Sequence, residues 1–147
     1  MKIDLKRISN YPLLSVSFRF ILGAVFIYAG VQKIFSPADF SQSIQNYMIL
    51  PPLLINLVAI LLPWLEIYCG VFLIAGIFSC ASAILISVMN LTFTIALCSA
   101  LIRGLDINCG CFGSDTPVDL LKIFENLILL AMSLHLVYRA PVPPPRF

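Results

Sequence analysis

Four uninterrupted apolar segments, at about residues 13–34, 53–78, 80–102 and 118–138, leave this chain few ways to fold. Each is about 20–26 residues long, and ~20 residues of helix cross a bilayer core of ~30 Å. In lipid, backbone polar groups must find partners within the protein, which leaves helices or closed barrels. The runs are continuously apolar rather than alternating, so they read as helices. Composition agrees: 61% of the 147 residues are hydrophobic and 11% are charged, against ~25% charged in soluble domains. Mean hydropathy is +1.02. The expected fold is all-α: one integral-membrane four-helix bundle over residues 1–147.

The first apolar segment follows Lys2, Lys6 and Arg7, as in a signal peptide. It runs on into Gly30-Val31-Gln32-Lys33 without a small-x-small cleavage pattern, so it is read as a retained helix. Residues 35–52 form a more polar connection, where Phe40, Ile44 and Tyr47, spaced by four and three, suggest a short interfacial helix. Segments two and three are almost fused and form a tight helical hairpin. Residues 103–117 make the other sizeable loop, and the proline-rich tail from Pro141 to Pro145 ends the last helix.

Lys2, Lys6, Arg7, Arg19, Arg139 and Arg146 fall on the side of the chain ends, against Lys33, Arg103 and Lys122 on the other. The bias of basic residues toward the cytoplasm then places both termini inside and loops 35–52 and 103–117 outside. A net charge of +2 and the lack of any Lys/Arg run argue against nucleic acid as a partner. The lipid bilayer is the certain one.

The second loop contains Cys109-Gly110-Cys111-Phe112-Gly113. Two cysteines one residue apart can close a small, strained and easily reduced ring, and Gly110 supplies the backbone freedom for it. The expected outward location suits disulfide chemistry. Arg103 and Lys122 would favour a thiolate while Asp106 and Asp115 oppose it. A permanent disulfide and a soft metal-ligand pair are the alternatives, but two thiolates fall short of four zinc ligands. His135, the one histidine, lies toward the far end of helix four, so no metal is expected. The total of five cysteines is odd, so at least one stays outside any intramolecular pair. Cys98, near the outer end of helix three, is a third candidate thiol. Cys80 is separated from Cys109 by most of the membrane at ~1.5 Å per residue, and Cys69 reads as a small buried hydrophobe.

Glu66 lies half-way along segment two, three residues after Pro63. A carboxyl at that depth is a functional candidate by default. Counting from the inner ends puts Glu66 ~16 Å deep, Asn90 ~15 Å and Arg19 ~8 Å. Asn90 could therefore hydrogen-bond Glu66 across the hairpin, and Arg19 could reach it by extension. The alternative reading of Glu66 is a helix-packing anchor. Gln32 and Lys33 read as outer-face anchors of helix one, and Lys122 and Glu125 as a local pair. Gly23, Gly30, Gly70 and Gly76 read as points of close helix approach.

Arg19, Gly23, Phe26, Ala29-Gly30 and Lys33-Ile34, then Pro63-Trp64-Leu65-Glu66 and Gly70, then Cys109-Gly110-Cys111-Phe112-Gly113 together resemble the MauE branch of the DoxX-like membrane proteins. The resemblance covers nearly the whole chain; the cysteine block is its most specific part. It implies a four-helix bundle in the bacterial inner membrane and a role in methylamine utilisation, in processing or maturing the disulfide-rich periplasmic small subunit of methylamine dehydrogenase.

Residues and resemblance lead to one expectation: a membrane component of periplasmic thiol–disulfide handling, possessing Cys109 and Cys111 as the exchanging thiols. Its electron partner would be a periplasmic thioredoxin-like or disulfide-containing protein, with a membrane quinone as a second candidate. A non-catalytic membrane chaperone or scaffold is the alternative reading. A small transporter or electron-transfer subunit centred on Glu66 is the third.

Overall fold

The computed structural model describes residues 5–104 and 120–139, with side chains from residue 13 onward. It is all-helical in those residues: α1 (Leu5–Phe35), α2 (Pro37–Asn46), α3 (Pro52–Ala75), α4 (Ser79–Ile102) and α5 (Leu120–Arg139). Four of them are long and apolar enough to cross a membrane: Leu13–Phe35 within α1, and all of α3, α4 and α5. The short helix suggested by Phe40, Ile44 and Tyr47 is α2. Pro37 starts it, at a position where a missing N–H costs no hydrogen bond.

The four long helices close a ring in which α1 packs on α3 and α5, and α4 on α3 and α5. The α1–α3 seam is the tightest, and glycines set it. A Cβ on Gly70 would stand 2.8 Å from the Gly23 carbonyl oxygen, and one on Gly30 would stand 2.7 Å from that of Pro63. Backbone thus approaches backbone, the usual means of gaining dispersion contact between helices in lipid. Leu22, Phe26, Cys69, Leu73, Ala83, Ile86 and Leu136 form the main apolar core.

Large apolar side chains such as Phe20, Leu61, Trp64, Tyr68 and Leu91 point outward, while Ser82, Ser87, Asn90, Thr94, Asn126 and Ser133 are buried. That is the reverse of a water-soluble bundle. It suits helices surrounded by hydrocarbon, where polar groups must face one another. Ser87 Oγ donates to Ser133 Oγ at 2.9 Å between α4 and α5. One and two turns away, Asn126 Nδ2 donates to Thr94 Oγ1 at 3.1 Å and to the Asn90 carbonyl at 3.4 Å.

Gly76 and Phe78 take left-handed backbone in the short link from α3 to α4. Gly76 therefore serves as a helix stop rather than a helix–helix contact. Arg19 lies against it, and Arg19 Nε donates to the Leu73 carbonyl at 3.1 Å. At the carbonyl end of α3 the cation gives the Leu73 oxygen a second donor beside the Gly76 N–H at 3.4 Å, and it meets the negative end of the helix dipole.

Candidate functional site

The α1–α3 register places Gly30 opposite Glu66 and Ile67. One turn further along α1, Lys33 meets the same carboxyl: Lys33 Nζ and Glu66 Oε1 are 2.5 Å apart. Both residues are buried, at 5% and 7% exposure. The Lys33 ammonium also lies 5.1 Å from the centre of the Phe40 ring, an arrangement attractive through the ring quadrupole. Helix α2 thus supplies one wall of the ion pair's enclosure.

Three expectations about these side chains need correction. Lys33 is not an anchor at the surface; it is buried and paired. Arg19 does not reach Glu66, because eleven residues separate it from Gly30, or ~16 Å of helix at the usual rise. Its partner is the Leu73 carbonyl. Asn90 makes no hydrogen bond to Glu66; Asn90 Nδ2 and Glu66 Oε2 are both buried without a hydrogen-bond partner. The local pair of Lys122 and Glu125 is present at 2.9 Å.

Asn90 and Glu66 do share a space. A cavity of about 530 Å³ lies among the helices, and its lining includes Lys33, Glu66, Asn90 and Asn126, with Phe26, Met89 and Phe93 among the apolar side chains. That volume is within the range of small-molecule sites. Phe40, Ser43, Ile44 and Tyr47 bring α2 and the turn after it over the cavity. Tyr47 is held there by packing on Leu97 and Ala100, and its carbonyl accepts a hydrogen bond from Arg103 Nη1 at 3.0 Å. Burial pushes the Tyr47 phenol up to about 12, so it is neutral at physiological pH.

The signal missed in the sequence was register. Measured by rise, Glu66 is ~21 Å from the Pro52 end of α3, while Lys33 is ~3 Å from the end of α1. Aligning helix ends therefore separates the two residues. The glycine contacts show that the ends are not aligned: α3 continues beyond α1, and α2 occupies the space beside it.

Cys109 and Cys111 lie outside the described residues. Cys98 is a free, half-buried thiol on the last two turns of α4. Cys80 is free and half-buried at the opposite end of the same helix, and Cys69 is free and buried in the apolar core.

A ring of four apolar helices enclosing an ion pair and a ladder of small polar side chains defines a multi-pass membrane protein. Comparison with known proteins makes this specific. The family model of methylamine utilisation protein MauE matches residues 11–139, and the chain belongs to that family. A methylamine utilization protein MauE from Paracoccus denitrificans is 30% identical over 137 residues, covering 91% of this chain and 74% of the relative. Its counterpart from Methylophilus methylotrophus is 29% identical over 135 residues, covering 91% and 71%. No solved structure matches the chain significantly.

Proposed function

We propose that this protein is an accessory membrane protein of methylamine utilisation that handles thiols and disulfides of a maturing periplasmic protein. The observation that carries the reading is the Cys109-Gly110-Cys111 pair in the segment joining α4 to α5. The names of the two relatives support the methylamine context. The six-to-three distribution of basic residues supports a bacterial inner-membrane orientation with both termini cytoplasmic and the cysteine pair periplasmic.

The chemistry is exchange. The thiolate of Cys109 or Cys111 attacks a disulfide of the partner, forms a mixed disulfide and releases one partner thiolate. The other cysteine then attacks the mixed disulfide, leaving a Cys109–Cys111 disulfide here and a dithiol on the partner. Run in reverse, the same two steps oxidise the partner. Cys98 is the third thiol available on the α4 side. A thioredoxin-like or disulfide-containing periplasmic protein is the partner class that suits this exchange.

The test is mass-tagged alkylation of cysteines in intact cells before and after a short reductant pulse. Exchange chemistry yields a mixture of oxidised and reduced Cys109–Cys111 that recovers after the pulse. A pair that remains wholly oxidised throughout, with function intact in Cys109→Ser, contradicts the reading and leaves the scaffold role.

A further inference from the structure

The buried atoms Glu66 Oε2 and Asn90 Nδ2 have no hydrogen-bond partner among the described residues. Leaving a buried polar atom unanswered costs ~1–3 kcal/mol, more for a charged group. Two of them on the lining of one cavity, on facing helices, mark a place where something polar belongs. Their residues are 7% and 4% exposed, so neither is a surface group that bulk water solvates.

What kind of group follows from the donor and acceptor inventory. Glu66 already gives Oε1 to Lys33, so Oε2 needs a donor, while Asn90 Nδ2 needs an acceptor. The Lys33–Glu66 pair is neutral as a unit, which disfavours a charged occupant in this low-dielectric setting. A hydroxyl is the smallest neutral group that answers both, accepting through oxygen and donating through hydrogen. A bare carbonyl would answer Asn90 alone.

Most of the remaining lining is apolar, with Ser43, Thr92, Asn126 and the Lys122–Glu125 pair among its other polar groups, and the space is far larger than one hydroxyl or one water. Phe26, Met89, Phe93 and Leu129 face it, and its volume is about 530 Å³. It is also reached from the side. Val88 and Ile95 of α4 line the cavity yet are 55% and 61% exposed, and Val58 and Leu62 complete that edge from α3. In a membrane-spanning bundle this edge faces lipid rather than water.

We propose that the cavity binds a lipid-soluble molecule headed by a hydroxyl group, admitted from the bilayer between α3 and α4 and anchored at Glu66 and Asn90. The head chemistry is shared by a reduced quinone and by a long-chain lipid alcohol. The inference stands on the cavity and does not depend on the cysteine chemistry.

The test uses the full chain in phospholipid nanodiscs with two photoreactive probes, a diazirine-tagged decyl hydroquinone and a diazirine-tagged dodecanol. Labelled peptides are mapped by mass spectrometry. Saturable labelling of residues 58–66 and 88–96 is expected, weakened at least tenfold by Asn90→Leu. Ala96→Phe, which fills the apolar part of the cavity without touching the polar atoms, should weaken it similarly. The O-methylated form of the hydroquinone should bind at least tenfold more weakly than its parent. Labelling by both probes supports a general hydroxyl site; labelling by one alone supports the proposal and names the source. Non-saturable labelling unchanged by both variants, or equal labelling by the methylated probe, overturns it.

Discussion

Lys33 and Glu66 form a buried ion pair, 33 residues apart in sequence and 2.5 Å apart in space, where the α1–α3 seam reaches the end of α1. Removing either charge leaves the other unpaired in a low-dielectric interior, which costs ~3–5 kcal/mol. Glu66→Leu and Lys33→Met should each lower stability by about that amount. The double variant should recover more than half of the loss, because two apolar side chains leave no orphaned charge. Denaturant-induced unfolding in detergent micelles checks this; a double variant no more stable than either single one contradicts it.

The Gly23–Gly70 crossing makes a second prediction. A methyl at Gly70 would lie 2.8 Å from a backbone oxygen that is held by its own helix. Gly70→Ala should therefore cost ~1–3 kcal/mol through overpacking. It should also loosen the Lys33–Glu66 pair on the same seam. Thermal unfolding of the purified protein reads the first effect. Faster hydrogen exchange on α1 around Lys33 reads the second.

Arg19 should matter locally rather than globally. Its guanidinium binds the last turn of α3 through the Leu73 carbonyl, and charged hydrogen bonds of this kind contribute ~1.5–3 kcal/mol. Arg19→Leu should speed amide exchange at Gly76–Phe78 while leaving α5 unchanged. If exchange is altered evenly across the bundle, Arg19 is not acting as a cap.

Between α4 and α5, the Ser87–Ser133 hydrogen bond is accessible to a double-mutant cycle. Interhelical hydrogen bonds in membrane proteins average ~0.6 kcal/mol of coupling. Ser87→Ala and Ser133→Ala should show a coupling of that size and sign. Strictly additive losses would mean that the two hydroxyls act independently through their own helix carbonyls.

The helices were legible because their signal is length and continuous apolarity, which lipid imposes on any spanning segment. Even α2 was visible, through the spacing of Phe40, Ile44 and Tyr47. The buried faces were harder, since nearly every position is apolar and apolar periodicity carries no contrast. The usable contrast is the polar one: on α4, Ser87, Asn90 and Thr94 are spaced by three and four and all face inward. Glu66 stood out as a single charge in mid-helix. Its partner did not, because counting rise from helix ends assumes a common plane, whereas the glycine seam shifts α1 against α3. The same assumption sent Arg19 toward Glu66 instead of toward Leu73. The Cys109–Cys111 pair is a reading of spacing that falls outside the described residues.

The most direct test of the proposed function is to trap its covalent intermediate. In cells expressing Cys109→Ser or Cys111→Ser, free thiols are blocked with acid and alkylating agent, and the chain is purified under non-reducing conditions. At least one of the two variants should carry a periplasmic protein in a reducible disulfide bond, identified by mass spectrometry and absent when both cysteines are replaced. If neither variant captures a partner while the cells still assemble their periplasmic disulfide proteins normally, the thiol-exchange account is wrong.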